Sequence, residues 1–137
     1  MFYGDYHLKN KYLGLAKKAC FIASSKKASD PVILNIRRLS AVADYMVIAS
    51  GESSPQIHAI IDGIYRSLRD EHCILPLHWD GRGSDSWSAI DYGGLIVHIM
   101  SASVRKLYAL EKVWHGAVKV SQKQKIKDDK LISIGKR

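Results

Sequence analysis

The chain has 137 residues, 47% hydrophobic and 25% charged, enough for one domain with its own core and too little for two. No apolar run approaches the ~18–20 residues of a membrane helix and no signal-peptide pattern opens the chain, so a cytoplasmic protein without a membrane partner is expected. The net charge of +8 is unevenly placed: +4 over residues 1–30, −1 over 31–116, where eight basic side chains meet nine acidic ones, and +5 over 117–137.

A nearly neutral body with basic ends argues against a fold that reads nucleic acid, because such folds carry their cations on the ordered surface. The ends can still add salt-sensitive, sequence-independent contact with RNA. Cys20 and Cys73 stand far apart in apolar segments and read as buried thiols in a reducing compartment.

Taken in order, residues 8–24 form a moderately amphipathic helix with Leu13, Ala16, Ala19, Cys20 and Ala23 inward and Lys17 and Lys18 outward. Residues 24–31 are a loop, since Pro31 disfavours helix at Asp30. Val32–Ile36 and Asp44–Ala49 are buried strands, rich in β-branched and apolar residues. Ser54 as N-cap with Pro55 behind it starts a second helix, whose stripe is Ile57, Ile60, Ile61, Ile64 and Leu68, with Arg66 and Arg69 outward. Gly63 inside that helix costs about 1 kcal/mol relative to Ala, which suggests close approach of another backbone. Residues 74–79 make a short strand, irregular or at an edge because of Pro76. Residues 80–86 are a flexible polar loop.

The organising stretch runs from Trp87 to Trp114. Trp87–Tyr92 has strand spacing, Gly93-Gly94 tolerates the positive φ of a two-residue turn, and Leu95–Met100 suits a strand covered on both faces. Ser101 or Ser103 caps a helix carrying Val104, Leu107, Leu110, Val113 and Trp114 at helical spacing, ended by Gly116. Strands and helices in this order make an α/β domain over residues 1–116 with a mixed sheet of five strands flanked by helices. Residues 117–137 form a basic, flexible or loosely helical tail.

Catalytic constellations are weak. Gly51-Glu52-Ser53 is not followed by the Asp-x-Asp that two-metal phosphoryl transfer needs. His78, Asp80 and Asp85 share a loop without the donor spacing of a metal site. His98 within an apolar strand reads as a core histidine bonded to a neighbour, in preference to a catalytic base. Cys73 next to His72 is no nucleophile–base pair. No enzyme, cofactor or metal is therefore expected. Trp79 and Trp87 bracket the loop, and Asp91 and Tyr92 close a hairpin. Aromatic anchors beside a carboxylate suit protein recognition, and two core tryptophans with Asp91 merely bracing the turn is an equally good account from the residues alone.

Trp87, Asp91-Tyr92-Gly93, Val97-His98, Arg105, Leu107-Tyr108, Leu110-Glu111 and Trp114, with Lys27-Ala28, Asp44–Gly51 and Ser54 upstream, resemble the Iojap family, the ribosomal silencing factors. The resemblance spans roughly residues 10–116. It implies a nucleotidyltransferase-like fold and binding to the large ribosomal subunit through ribosomal protein L14. Such binding would block joining of the small subunit and repress translation when nutrients are short. It also favours the recognition account: Trp87 and Tyr92 as anchors, Asp91 paired with a basic partner residue, Asp80 as rim charge. Two positions depart from the family pattern, Gly94 where an acid is usual and Asp80-Gly81 where Glu-Gly is usual. A homodimer and a contact between the basic ends and ribosomal RNA stay open. The alternative is an RNA-binding module of ribosome assembly that works through the basic termini.

Overall fold

The computed structural model describes residues 2–120, with side chains from residue 11 onward; the tail beyond Val120 lies outside the described residues. The elements are α1 (Phe2–Ser25), β1 (Ser29–Asn35), β2 (Tyr45–Gly51), α2 (Ser54–His72), β3 (His78–Asp80), β4 (Trp87–Asp91), β5 (Leu95–Ser101), α3 (Ala102–Tyr108), α4 (Leu110–Val113) and β6 (Val118–Lys119). They form one mixed sheet in the order β3-β4-β5-β2-β1-β6. Only the central β2–β5 pair is parallel; the other four pairings are antiparallel.

Among the described residues the sheet has six strands, not five. The extra one is β6, two residues in a lysine-rich segment, pairing with Leu34 and Asn35 of β1. Two ladder residues leave no periodicity to read, and the strand lies just past residue 116, where the sequence suggested that the body ends. β1 also begins earlier than expected, at Ser29, because a register shift between Ser29 and Val32 accommodates Asp30 and Pro31. Asp30 takes φ 48° there, and a bulge is one of the few places where a strand tolerates proline.

One face of the sheet lies under α1 and α2. Ile33, Val47, Ala49, Ile90, Val97 and Ile99 meet the α2 stripe and the small residues Ala16, Ala19 and Ala23 of α1. Those alanines let α1 sink so deeply that Lys17 is only 3% exposed, against the expectation that it faces outward. Gly63 makes room for the neighbouring helix through its side chains, not its backbone: a Cβ there would lie 2.5 Å from Lys26 Cε. Cys73 is exposed, because it is the left-handed C-cap of α2, with φ 57°.

The other face is covered only in part. Met46, Ile48, Leu34 and Met100 pack beneath Val104, Leu110 and Trp114. The expected single helix is broken at Ala109 (φ 49°) into α3 and α4, neither of which contains a buried residue. Leu107 and Val113 of the expected stripe are 76% and 64% exposed. Consequently β5, expected to be covered on both faces, alternates: Ile96 and His98 are only half-buried.

Candidate docking surface

Pairing register decides which side chains share the uncovered face. His78 lies opposite Asp91 and Asp80 opposite Ala89, while Trp87, Ala89 and Asp91 lie opposite Met100, His98 and Ile96. Cross-strand partners project to the same side. The end of the sheet formed by β3, β4 and β5 therefore presents Trp87, Asp91 and Asp80 together, over a floor of Ala89, Ile96 and His98.

Trp87 is the pivot. Its ring centroid lies 5.8 Å from that of His98 and 4.9 Å from that of Tyr108 on α3. Its Nε1–H donates to His98 Nδ1 at 3.0 Å, which leaves the His98 proton on Nε2. Burial pushes the His98 pKa down to about 4, so the pair is held without charge at neutral pH. Asp91 Oδ1 accepts from the Gly93 backbone N–H at 2.7 Å, bracing the turn and leaving Oδ2 for a partner. Asp80 stands in solvent with His78 Nε2 at 2.9 Å.

The surface continues onto α3 through Tyr108 and Leu107, 54% and 76% exposed. Arg105 fixes that helix to the sheet. Its guanidinium reaches Glu111 at 2.8 Å, Ser50 Oγ at 3.1 Å and the Ser29 carbonyl at 3.3 Å, and Ser101 caps the helix start. Sequence reasoning assigned Leu107 to the core stripe and gave Tyr108 only as part of the family resemblance; in the structure both face outward on α3, which ends at Ala109.

Tyr92 is a correction. It is one residue past Asp91 and so points to the opposite face, where it is 4% exposed within the core beneath α1 and α2. Burial raises its phenol pKa well above the usual value. It cannot share a contact with Trp87. The loop 80–86, expected to be flexible, is tied to α2: Ser54 Oγ donates to Asp85 Oδ1 at 2.6 Å, and His58 Nε2 lies 2.8 Å from the Ser84 carbonyl. Ser54 is thereby freed from capping, which Ser53 performs through the Gln56 N–H.

These groups do not make a reaction centre. His58 is bonded to a carbonyl and not to Ser54, so no base is aimed at the hydroxyl. Among the described residues no group of three His, Cys, Asp or Glu side chains could hold a metal ion, and no helix is long and apolar enough to cross a membrane. What the fold and this surface define is a mixed-sheet α/β protein with one solvated, aromatic-and-acidic sheet face.

Comparison with known proteins gives that class a family. The profile described as "Ribosomal silencing factor during starvation" matches residues 9–135, and the chain belongs to this family. It is 34% identical over 105 residues to the ribosomal silencing factor RsfS of Bacillus subtilis (strain 168), covering 77% of this chain and 86% of that protein. It is 28% identical over 91 residues to "Mitochondrial assembly of ribosomal large subunit protein 1" of Mus musculus, covering 65% of this chain and 40% of the longer mouse protein. A crystal structure of a Chromobacterium violaceum protein superposes with a TM-score of 0.72 at 27% identity, covering 80% of this chain and 90% of that one. The family description is that of a regulator of ribosomes and names no reaction. The matched region extends past residue 116, where the sequence resemblance stops.

Proposed function

We propose that the solvated face of β3, β4 and β5 is where this protein docks on the large ribosomal subunit, with ribosomal protein L14 as the partner. Occupancy there blocks association with the small subunit and represses translation under nutrient limitation. The observation that carries this reading is half-buried Trp87 in ring contact with exposed Tyr108, beside exposed Leu107 and bordered by Asp80 and Asp91. Binding energy concentrates in a few aromatic anchors within a polar rim, and about 800 Å² per partner makes a standard interface. Family membership and the large-subunit function named for the mouse relative support it. The nucleotidyltransferase-like frame and a cytoplasmic location belong to the same reading. Trp87, Asp91 and Asp80 are its contact residues; Leu107 and Tyr108 join them, and Tyr92, in the core on the other side of the sheet, makes no contact.

The test is sedimentation with purified large subunits, followed by addition of small subunits. Leu107→Ser and Tyr108→Ala alter exposed side chains, so the variants keep their fold. Together they are expected to weaken binding at least tenfold and to restore subunit joining. Removal of residues 121–137 is expected to leave both activities in place, since β6 stays intact. Full binding and full blocking by the Leu107→Ser/Tyr108→Ala variant would place the working surface elsewhere. Loss of all binding on tail removal would favour the RNA-binding assembly module.

A further inference from the structure

The opposite side of the sheet carries a second feature that docking does not use. Between α2 and the 80–86 loop lies an open groove of about 390 Å³, lined by His58, Asp62, Trp79, Arg82 and Gly83 among others. Trp79 and Arg82 form its wall, with Tyr65 and Arg69 behind them. The Arg82 guanidinium lies 4.3 Å from the Trp79 ring centroid, Trp79 is 5.0 Å from Tyr65, and Arg69 covers Tyr65 at 5.2 Å.

The stack is pre-set. Trp79 Nε1–H donates to Ser88 Oγ at 2.8 Å, fixing the indole, and the His58–Ser84 bond holds the loop that carries Arg82. Among the described residues no carboxylate pairs with Arg82. Asp62 gives Oδ2 to Arg66 at 3.0 Å, which leaves Oδ1 to accept a hydrogen bond. Gly83 takes φ +84° with open space around it, so the mouth is clear.

An indole–guanidinium platform whose one cation has no carboxylate partner, and a carboxylate acceptor in the same groove, are complementary to a planar base that bears an exocyclic amine and is attached to a phosphate. We infer that this groove binds one unpaired amine-bearing base of single-stranded RNA, for which adenine serves as the probe and uracil, without the amine, as the control. The base stacks on the Trp79–Arg82 wall, its amine donates to Asp62 Oδ1, and Arg82 neutralises the adjoining phosphate. The inference does not depend on the docking surface, which lies across the sheet.

The experiment is fluorescence anisotropy of labelled hexa-adenylate and hexa-uridylate with the full chain at physiological salt, where tail lysines bind both alike. Hexa-adenylate is expected to bind roughly fivefold tighter or more, about the worth of one net hydrogen bond that uracil, without the amine, cannot make. Arg82→Ala and Asp62→Ala, both at exposed or half-exposed positions, are each expected to erase the difference while circular dichroism stays unchanged. Equal binding of the two RNAs would overturn the assignment, as would a preference that survives Arg82→Ala. Displacement by AMP at the same nucleotide concentration as hexa-adenylate would also overturn it, making the ligand a free nucleotide. The Leu107→Ser/Tyr108→Ala variant should retain the adenylate preference, and Arg82→Ala should still block subunit joining, so either reading can fail alone.

Discussion

His98 ties stability to pH in a direction and size that the structure sets. Burial holds it neutral in the fold with a pKa of about 4, against an ordinary value of 6.5. As pH falls the unfolded chain takes up the proton first, so stability is lost between about pH 6.5 and pH 4 and is fully present above that window. At 1.36 kcal/mol per pKa unit, the loss is on the order of 3 kcal/mol across the window and about 2 kcal/mol by pH 5. Protonation also puts a second donor opposite the Trp87 N–H, opening the bond that orients the indole. Replacing His98 with Asn keeps an acceptor for Trp87 and removes the titration. Urea unfolding followed by tryptophan fluorescence at pH 7 and pH 5 should show His98→Asn losing about 2 kcal/mol less than the parent. Equal losses in the two proteins would mean that His98 is not the buried, neutral partner of Trp87.

Two further predictions concern positions where the sequence alone suggests a different ranking. Ser53→Ala removes the cap of α2 and should cost about 1 kcal/mol, whereas Ser54→Ala breaks only an exposed bond to Asp85 and should cost under about 0.5 kcal/mol; thermal denaturation showing the reverse order would return the cap to Ser54. Gly94→Ala drives a methyl into the Tyr12 ring and should cost about 1–3 kcal/mol. Adding Tyr12→Ala should make the pair less destabilising than the sum of the single changes, and simple additivity would show that Tyr12 does not pack there.

Residue patterning and family resemblance made much of the candidate surface legible, and the parts that were missed share one cause. Trp87 and Asp91 are four positions, two full alternations, apart on one strand, so they share a side, and the same count puts Tyr92 on the other side. The resemblance grouped all three because it is written along the chain, not across the sheet. Asp80 joins them only through the register of β3 on β4. Leu107 carried a helical period that matched a buried stripe, yet α3 stops after seven residues at a left-handed alanine; Val104, Leu110 and Trp114 still pack on the sheet, whereas Leu107 and Val113 do not. Gly94, where the resemblance implied an acid, is explained from within: its missing side chain makes room for Tyr12.

Local chemistry determined a good deal before any folding was considered. The β-branched runs around Ile33 and Val47, the isoleucine stripe of α2 and the glycines after Tyr92 each specify an element through short-range sterics and apolar periodicity, and the ordered family residues specify the family. Which face stays uncovered, where the sixth strand adds, how deep Lys17 sits and what stacks on Trp79 were settled by tertiary structure alone. Those outcomes depend on pairing register and on which helix covers which side of the sheet, and these contacts join residues tens of positions apart with no trace in the spacing along the chain.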